Sequence, residues 1–360
     1  MRPSYALGVF IPISIALDLA NASATAIFFT AALGVIPTAV LMSDATEHLA
    51  ARSGPGIGSL LNVTFGNAPE LIIAFFALLD GLQEVVKASL VGSVIGNSLL
   101  VLGFAMLVGG WRHGRQRFSR ENTVRIATLL LASVLLLAVP AIVQAIANGG
   151  HLPGPNEKRH DYAVGIELLS AAVAVGLTAR YAIGLAKSIR TRSGIFAPAP
   201  DVEPSDEIWT VRRSVVLLAI AGALVGVMSE VLVGSIEEAS HSVGLSPFFV
   251  GVFVVGIAGN AAEHWVAVVV AAKNKMDLSL NIALGSSVQI AMLLVPILVL
   301  LSFLFGPHPM ALVFNGYVIV ALVSAAVVAR IVTANGESTR GEGALLLGLY
   351  SALGVVFFLA

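Results

Sequence analysis

The sequence predicts an all-α membrane protein of eleven transmembrane helices, one N-terminal helix followed by two inverted five-helix repeats. Three observations carry that prediction. The hydrophobic fraction is 57% and the charged fraction only 11%. Ordinary soluble domains carry about 25% charged residues, so this chain has too little charge to cover a water-exposed surface. Apolar windows of about 20 residues, the length that crosses a bilayer, recur along the chain. Finally, the pentapeptide Gly66-Asn67-Ala68-Pro69-Glu70 returns 193 residues later as Gly259-Asn260-Ala261-Ala262-Glu263.

The windows fall at 5–20, 24–43, 57–79, 85–109, 123–147, 162–186, 213–236, 247–272, 279–305, 310–331 and 342–360. The first, an apolar run from Tyr5 to Leu17 behind Arg2, has the outline of a signal peptide. No small-x-small cleavage site precedes a soluble domain, so it is read as a retained helix. Residues 1–23 are then an accessory helix, 24–187 the first repeat and 212–360 the second. Residues 188–211 hold Pro198, Pro200 and Pro204 among Asp201, Glu203, Asp206 and Glu207, and read as a cytoplasmic linker. The 35 glycines suit close helix packing in lipid. With no cysteine there is neither a disulfide nor a thiolate metal site. A net charge of −1 and no basic run interleaved with aromatics exclude a nucleic-acid partner.

Charge tests the span count independently. With eleven spans the connections alternate sides. The N-terminus and the loops around Arg52, Arg112–Arg120, Lys187–Arg213, Lys273–Lys275 and Arg330–Arg340 share one side. With the helix-end residues Arg125 and Arg180, that side holds 17 of the 20 Lys and Arg; the other holds Lys87, Lys158 and Arg159. A miscounted span would scramble this separation. The positive-inside bias makes the rich side cytoplasmic, with the N-terminus inside and the C-terminus outside. Five spans per repeat, an odd number, turn the second repeat upside down relative to the first, and such repeats place their site near the midplane.

Glu70 and Glu263 carry the chemistry. A carboxylate inside the bilayer is costly and marks function, and neither of their spans contains a Lys or Arg to pair with it. Facing carboxylates repel when both are ionised, so a divalent cation or protons must neutralise them. Asn67 and Asn260 stand three residues earlier, on the same helix face. Their amide oxygens suit a hard cation that takes six to eight oxygens, or they cap backbone where the helix breaks. Gly66, Pro69, Gly256 and Gly259 weaken the helix there and free carbonyls. Ser93 and Ser286 follow glycines in the next spans and read equally as ligands or as glue between helices. Asn97 and Gln289, at nearly equivalent positions, read as further ligands or as groups that hold the ligands. His264 adjoins Glu263, and Glu230 lies in the seventh span; both are candidates for a proton path or pH sensing. Glu84, Asp277, Glu237, Glu238, Asp44 and Glu47 fall near span ends, solvated or lining an acidic vestibule.

No P-loop, Gly-x-Ser-x-Gly, His-Glu-x-x-His or dinucleotide fingerprint is present. The chain therefore reads as a secondary transporter that draws on an existing gradient, neither an enzyme nor a cofactor binder. A channel using the same acidic pair is disfavoured by the duplication and the broken helices. The lipid bilayer is its one expected macromolecular surrounding, and whether copies associate as a homo-oligomer stays open. Short loops point to a prokaryotic plasma membrane.

The stretch Leu60-Leu61-Asn62-Val63-Thr64-Phe65-Gly66-Asn67-Ala68-Pro69-Glu70-Leu71-Ile72, with Glu84-Val85-Val86-Lys87-Ala88-Ser89, resembles the first signature of calcium/proton exchangers. Gly259-Asn260-Ala261-Ala262-Glu263-His264, with Lys273-Asn274-Lys275 and Gly285-Ser286-Ser287-Val288-Gln289-Ile290, resembles the second. The resemblance covers most of the chain. It implies the eleven-helix sodium/calcium exchanger-like fold, with Glu70 and Glu263 as the carboxylates that take calcium or protons and with His264 and Gln289 near the site. It further implies an antiporter that moves cytoplasmic Ca2+ against external H+. Sodium/calcium exchangers of the same superfamily look richer in Ser and Thr where this chain has Asn67, Ala68, Asn260 and Ala261, so protons are the expected counter-ion. Sodium coupling, or a broader divalent range including Mn2+ and Cd2+, is the alternative. The linker departs from the clearly acidic segment that the family often carries.

Overall fold

The computed structural model describes residues 3–154, 162–191 and 208–359. Most of the linker, with its four acids, and the basic pair Lys158 and Arg159 lie outside the described residues. The chain is an all-helical membrane protein. Its helices, in order, are α1 (Ser4–Leu19), α2 (Ala24–Gly54), α3 (55–65), α4 (Ala68–Leu79), α5 (Gln83–His113) and α6 (Arg120–Ala147). Then come α7 (Val164–Thr191), α8 (Val211–Ser242), α9 (Pro247–Gly259), α10 (Ala261–Ala272), α11 (Met276–Ser302), α12 (Gly316–Asn335) and α13 (Arg340–Leu359).

Among the described residues, eight helices are long and apolar enough to cross a bilayer, and the pair α9–α10, bent by 62°, makes a ninth. The remaining two expected windows fall on shorter helices. One is α1; the other is α3 and α4 together, cut by a turn at Gly66 and Asn67. Both interruptions lie in the repeated pentapeptide.

The breaks differ in detail from expectation. Gly66 (φ −57, ψ −49) and Gly256 (φ −60, ψ −32) keep helical angles, and Gly259 closes α9. Pro69 sits in the first turn of α4, where a missing N–H costs nothing. The residues that leave the helix are the asparagines, Asn67 (φ −105, ψ 25) and Asn260 (φ −90, ψ 4). Each restarts the helix through its carbonyl, which accepts from Leu71 N (3.2 Å) or His264 N (3.0 Å). A genuine glycine-dependent turn lies earlier: Gly54 (φ 77, ψ 167) separates α2 from α3 in a conformation that a Cβ would strain.

The long helices α2 and α8 pack together, and α1 lies across both, with Ser14 Oγ donating to Met228 Sδ (3.6 Å). Connections gather into two sets. In the first, Arg52 Nε and Nη2 donate to the carbonyls of Trp209 (2.5 Å) and Ile208 (3.0 Å). β1 (Gln116–Arg117) pairs antiparallel with β2 (Glu337–Ser338). Gln116 Nε2 donates to Ala271 O (2.9 Å), and Ser119 N to Asp277 Oδ1 (2.6 Å).

The second set surrounds residues 309–315, which are extended rather than helical yet almost wholly buried. Backbone at that depth needs partners, and side chains supply them. Lys87 Nζ donates to Val313 O (2.9 Å), Gln83 Nε2 to His308 O (2.6 Å), and Leu312 N to Ser170 Oγ (3.0 Å). Lys87, counted among the cations outside the rich side, is thus buried and paired with Glu84 (2.5 Å). Lys87→Ala leaves both the Val313 carbonyl and Glu84 without this donor. It should destabilise the protein by roughly 1–3 kcal/mol, read as a lower melting temperature in detergent; an unchanged melting temperature would remove Lys87 from this role.

Candidate ion-binding site

The two acids meet across the two interrupted helices. Glu70 rises from the first turn of α4 and Glu263 from the first turn of α10. A Cβ built on Gly259 would lie 3.2 Å from Glu70 Cγ and 3.5 Å from its Oε1. Reciprocally, one built on Gly66 would lie 3.6 Å from Glu263 Oε1. Each carboxylate therefore rests against the glycine of the other pentapeptide. Glycine at both places leaves room for the opposing acid.

Around the acids the hydrogen bonds cross between repeats. Asn67 Nδ2 donates to Gln289 Oε1 (2.5 Å), and Asn67 Oδ1 accepts from Ser286 Oγ (2.7 Å). In the mirror arrangement, Asn260 Oδ1 accepts from Asn97 Nδ2 (3.3 Å), and Asn260 Nδ2 donates to Ser93 Oγ (2.7 Å). Asn260 Nδ2 also reaches the Gly256 carbonyl (2.9 Å), which Ser93 Oγ meets at 3.4 Å. That carbonyl, expected to be freed, is occupied.

Glu70, Asn67, Asn260, Ser93, Asn97 and Ser286 are buried, while Glu263, His264 and Gln289 are half-buried. Four buried polar atoms of this cluster have no hydrogen-bond partner among the described residues: Glu70 Oε2, Glu263 Oε2, Asn97 Oδ1 and His264 Nε2. Three are oxygens, which a buried environment leaves in need of a cation or a proton. Both asparagine oxygens are engaged once, and an amide oxygen has a second lone pair to offer. Among the described residues, no group of three or more acids and histidines is arranged to hold a metal. This site is two carboxylates set among neutral oxygens. Glu230 stands apart: it is exposed on α8, and no hydrogen bond joins it to this cluster among the described residues.

Sequence reasoning passed over Ser98 and Ser287. Both are fully buried, and their hydroxyls lie 3.1 Å apart, tying α5 to α11 beside Asn97 and Ser286. Ser98 has no counterpart in the 193-residue register, which is why the repeat did not reveal it. Its position next to Asn97 was the available signal.

The sodium/calcium exchanger protein family matches residues 23–186 and again residues 213–359. The chain belongs to this family. Within it, the chain groups with the Ca2+/H+ antiporters. It is 39% identical to the Ca(2+)/H(+) antiporter of Aphanothece halophytica, over 98% of this chain and 95% of that protein. It is 36% identical to the Ca(2+)/H(+) antiporter ChaA of Bacillus subtilis, over 97% and 96% of the two chains. The solved structure of the Ca2+/H+ antiporter protein YfkE superposes with a TM-score of 0.83 at 33% identity, covering 100% of both chains. The protein is thus an integral multi-pass transporter rather than an enzyme, as the two signatures implied.

For this exchanger-family site, the crossed bonds make a stability prediction. Asn260→Ala and Ser93→Ala remove the same contact, so the double variant should cost less than the two single variants together. A coupling of about 0.5–3 kcal/mol is expected from denaturation of the four proteins. Strict additivity would mean that the contact does not hold the repeats together.

Proposed function

We propose that the protein exchanges cytoplasmic Ca2+ for external H+ by alternating access, with both ions competing for Glu70 and Glu263. The observation that carries this reading is the reciprocal seating of the two acids, each against the other repeat's glycine and each with one buried oxygen unpartnered. Two bare carboxylates would repel in a medium that screens poorly. A divalent cation removes that repulsion, and so do protons. The carrier then changes sides loaded with one or the other, which is the coupling. Asn97 and the second lone pairs of Asn67 and Asn260 complete a set of oxygens suited to a hard cation, and Ser93, Ser286 and Gln289 hold the asparagines. His264, beside Glu263, is assigned to the proton path; exposed Glu230 fits a cavity mouth.

Contacts between connections support eleven crossings. Between Arg52 and Trp209 lie three long helices, α5, α6 and α7. Three crossings would part these residues, so their hydrogen bond supports a fourth crossing by α3 and α4. Between β1 and β2 lie five long helices, α6, α7, α8, α11 and α12. Their pairing supports a crossing by bent α9–α10. Tyr5 Oη donates to Asp44 Oδ2 (2.8 Å), which supports α1 as an antiparallel partner of α2. The two matches to the family, at 23–186 and 213–359, support the division into two repeats joined by the linker. The basic connections put the N-terminus in the cytoplasm.

Calcium uptake into proteoliposomes under a pH gradient, without sodium, should proceed. Uptake that ignores the pH gradient and follows sodium would replace protons as the counter-ion. Glu70→Gln and Glu263→Gln should each abolish exchange in protein that still elutes as a folded species; near-normal transport by either removes that residue from the site. The pH dependence has a definite sign. Ca2+ must displace protons from the acids, so acidification weakens its binding. The limit is about tenfold per pH unit for one proton displaced and about hundredfold for two. Calorimetric Kd values that do not change with pH would contradict competition.

A further inference from the structure

We propose that Gly285 is required for the transport cycle, as the contact point of a backbone seal that its repeat mate Gly92 makes in this structure. The inference rests on the alternating-access reading above. On α5 and α9 the two backbones touch. A Cβ on Gly92 would overlap the Val252 carbonyl oxygen, with the Val252 carbonyl carbon and Cα both at 2.7 Å. One on Gly256 would stand 3.0 Å from Gly92 C and Ser93 N, and one on Gly251 would stand 2.8 Å from Ala88 Cβ. Only glycine permits this approach. The 193-residue register maps Gly92 onto Gly285 in α11 and Val252 onto Ser59 in α3. At Gly285, among the described residues, nothing lies within 4 Å of the corresponding Cβ position.

Burial shows the same imbalance on both members of each pair. Ala88 and Ser89 are buried, whereas their mates Asn281 and Ile282 are half-exposed. Val250 is 2% exposed and its mate Ile57 60%; Val255 is buried and its mate Asn62 exposed. One mouth of the site is thus closed by backbone contact and the equivalent mouth is open. The closed one lies toward residues 80–82 and 243–246, and the open one toward 52–54 and 273–275, the arginine- and lysine-rich connections. With the orientation given above, the structure faces the cytoplasm.

This explains a residue that the present packing leaves without a reason. A glycine inside a helix, with room for a side chain, is less favourable there than alanine. Gly285 has that room. Inverted repeats exchange conformations when access alternates, so the opposite state brings the Ser59 carbonyl against Gly285 as the Val252 carbonyl now lies against Gly92. Gly285 is kept small for that state.

Gly285→Ala should therefore fold, melt at or slightly above the parent temperature, and bind Ca2+ in detergent. Exchange in proteoliposomes should fall roughly ten- to hundredfold, because one overpacked contact blocks the return conformation. Wild-type exchange by this variant overturns the proposal. The chain has no cysteine, which allows a second measurement independent of transport. Ile282→Cys should react with a membrane-impermeant maleimide from the cytoplasmic side, and Ser89→Cys should not. Equal labelling, or faster labelling of Ser89→Cys, also overturns it. A chain that transports calcium without protons, yet keeps this labelling asymmetry, would correct the counter-ion and leave the seal in place.

Discussion

Two carboxylates held together away from water set the terms for everything else in this molecule. Moving an ion out of water costs several kcal/mol even after the protein relaxes, and a second like charge nearby adds to that. A resident lysine or arginine would neutralise the pair permanently. Neither α3–α4 nor α9–α10 contains one. The buried Lys87 on α5 is committed to Glu84 and the Val313 carbonyl. Under the proposed exchange, counter-charge at the site comes and goes with the transported ions. The same reading accounts for the neutral character of the remaining site groups. Asn67, Asn260, Asn97, Gln289, Ser93 and Ser286 would supply dipoles that serve the loaded and the protonated forms alike.

Crossed hydrogen bonding answers a second requirement, that neither repeat own a complete site. Each asparagine leaves the helix in one repeat and is held by a hydroxyl and an amide from the other. A single bond of this kind is worth about 1 kcal/mol net. Buried networks gain definition from being fully satisfied, and the open valences concentrate on the acids and Asn97. In the proposed alternating access, helices would move around this knot without untying it. The two helices that restart at Asn67 and Asn260 suit that reading, because their first turns hold the acids.

Much of this was legible in the sequence, because a duplication prints the same demand twice. The 193-residue register pointed to both acids, both asparagines and both serines that the structure brings together, whereas the eleven expected spans exceed the eight or nine found among the described residues. Physical detail was lost wherever hydropathy is silent. The window at 310–331 reads as helix from its start, but residues 310–315 are a buried extended strap. Helix begins only at Gly316, capped by Asn315 Oδ1, which accepts from Val318 N (2.9 Å). Apolar composition alone does not separate these two states. Glycines misled in the other direction. In water they mark breaks; in lipid they mark close packing. Gly256, expected to break its helix, keeps helical angles and abuts Gly92 instead. Glu230 drew attention as an acid in an apolar span, yet it sits on the exposed side of α8.

Register also bears on one place where the repeats fall out of step. Asn97 and Gln289 play the same part, each bonded to the other repeat's asparagine, yet they lie 192 residues apart rather than 193. Both helices contain a π-helical turn, at Gly96–Val101 in α5 and Ile290–Leu294 in α11. Such a turn inserts one residue into the helical ladder and rotates the residues beyond it. Asn97 lies within the turn of α5, whereas Gln289 immediately precedes the turn of α11. The one-residue slip in numbering thus falls where the two helical ladders differ, and both amides still reach the asparagine of the other repeat.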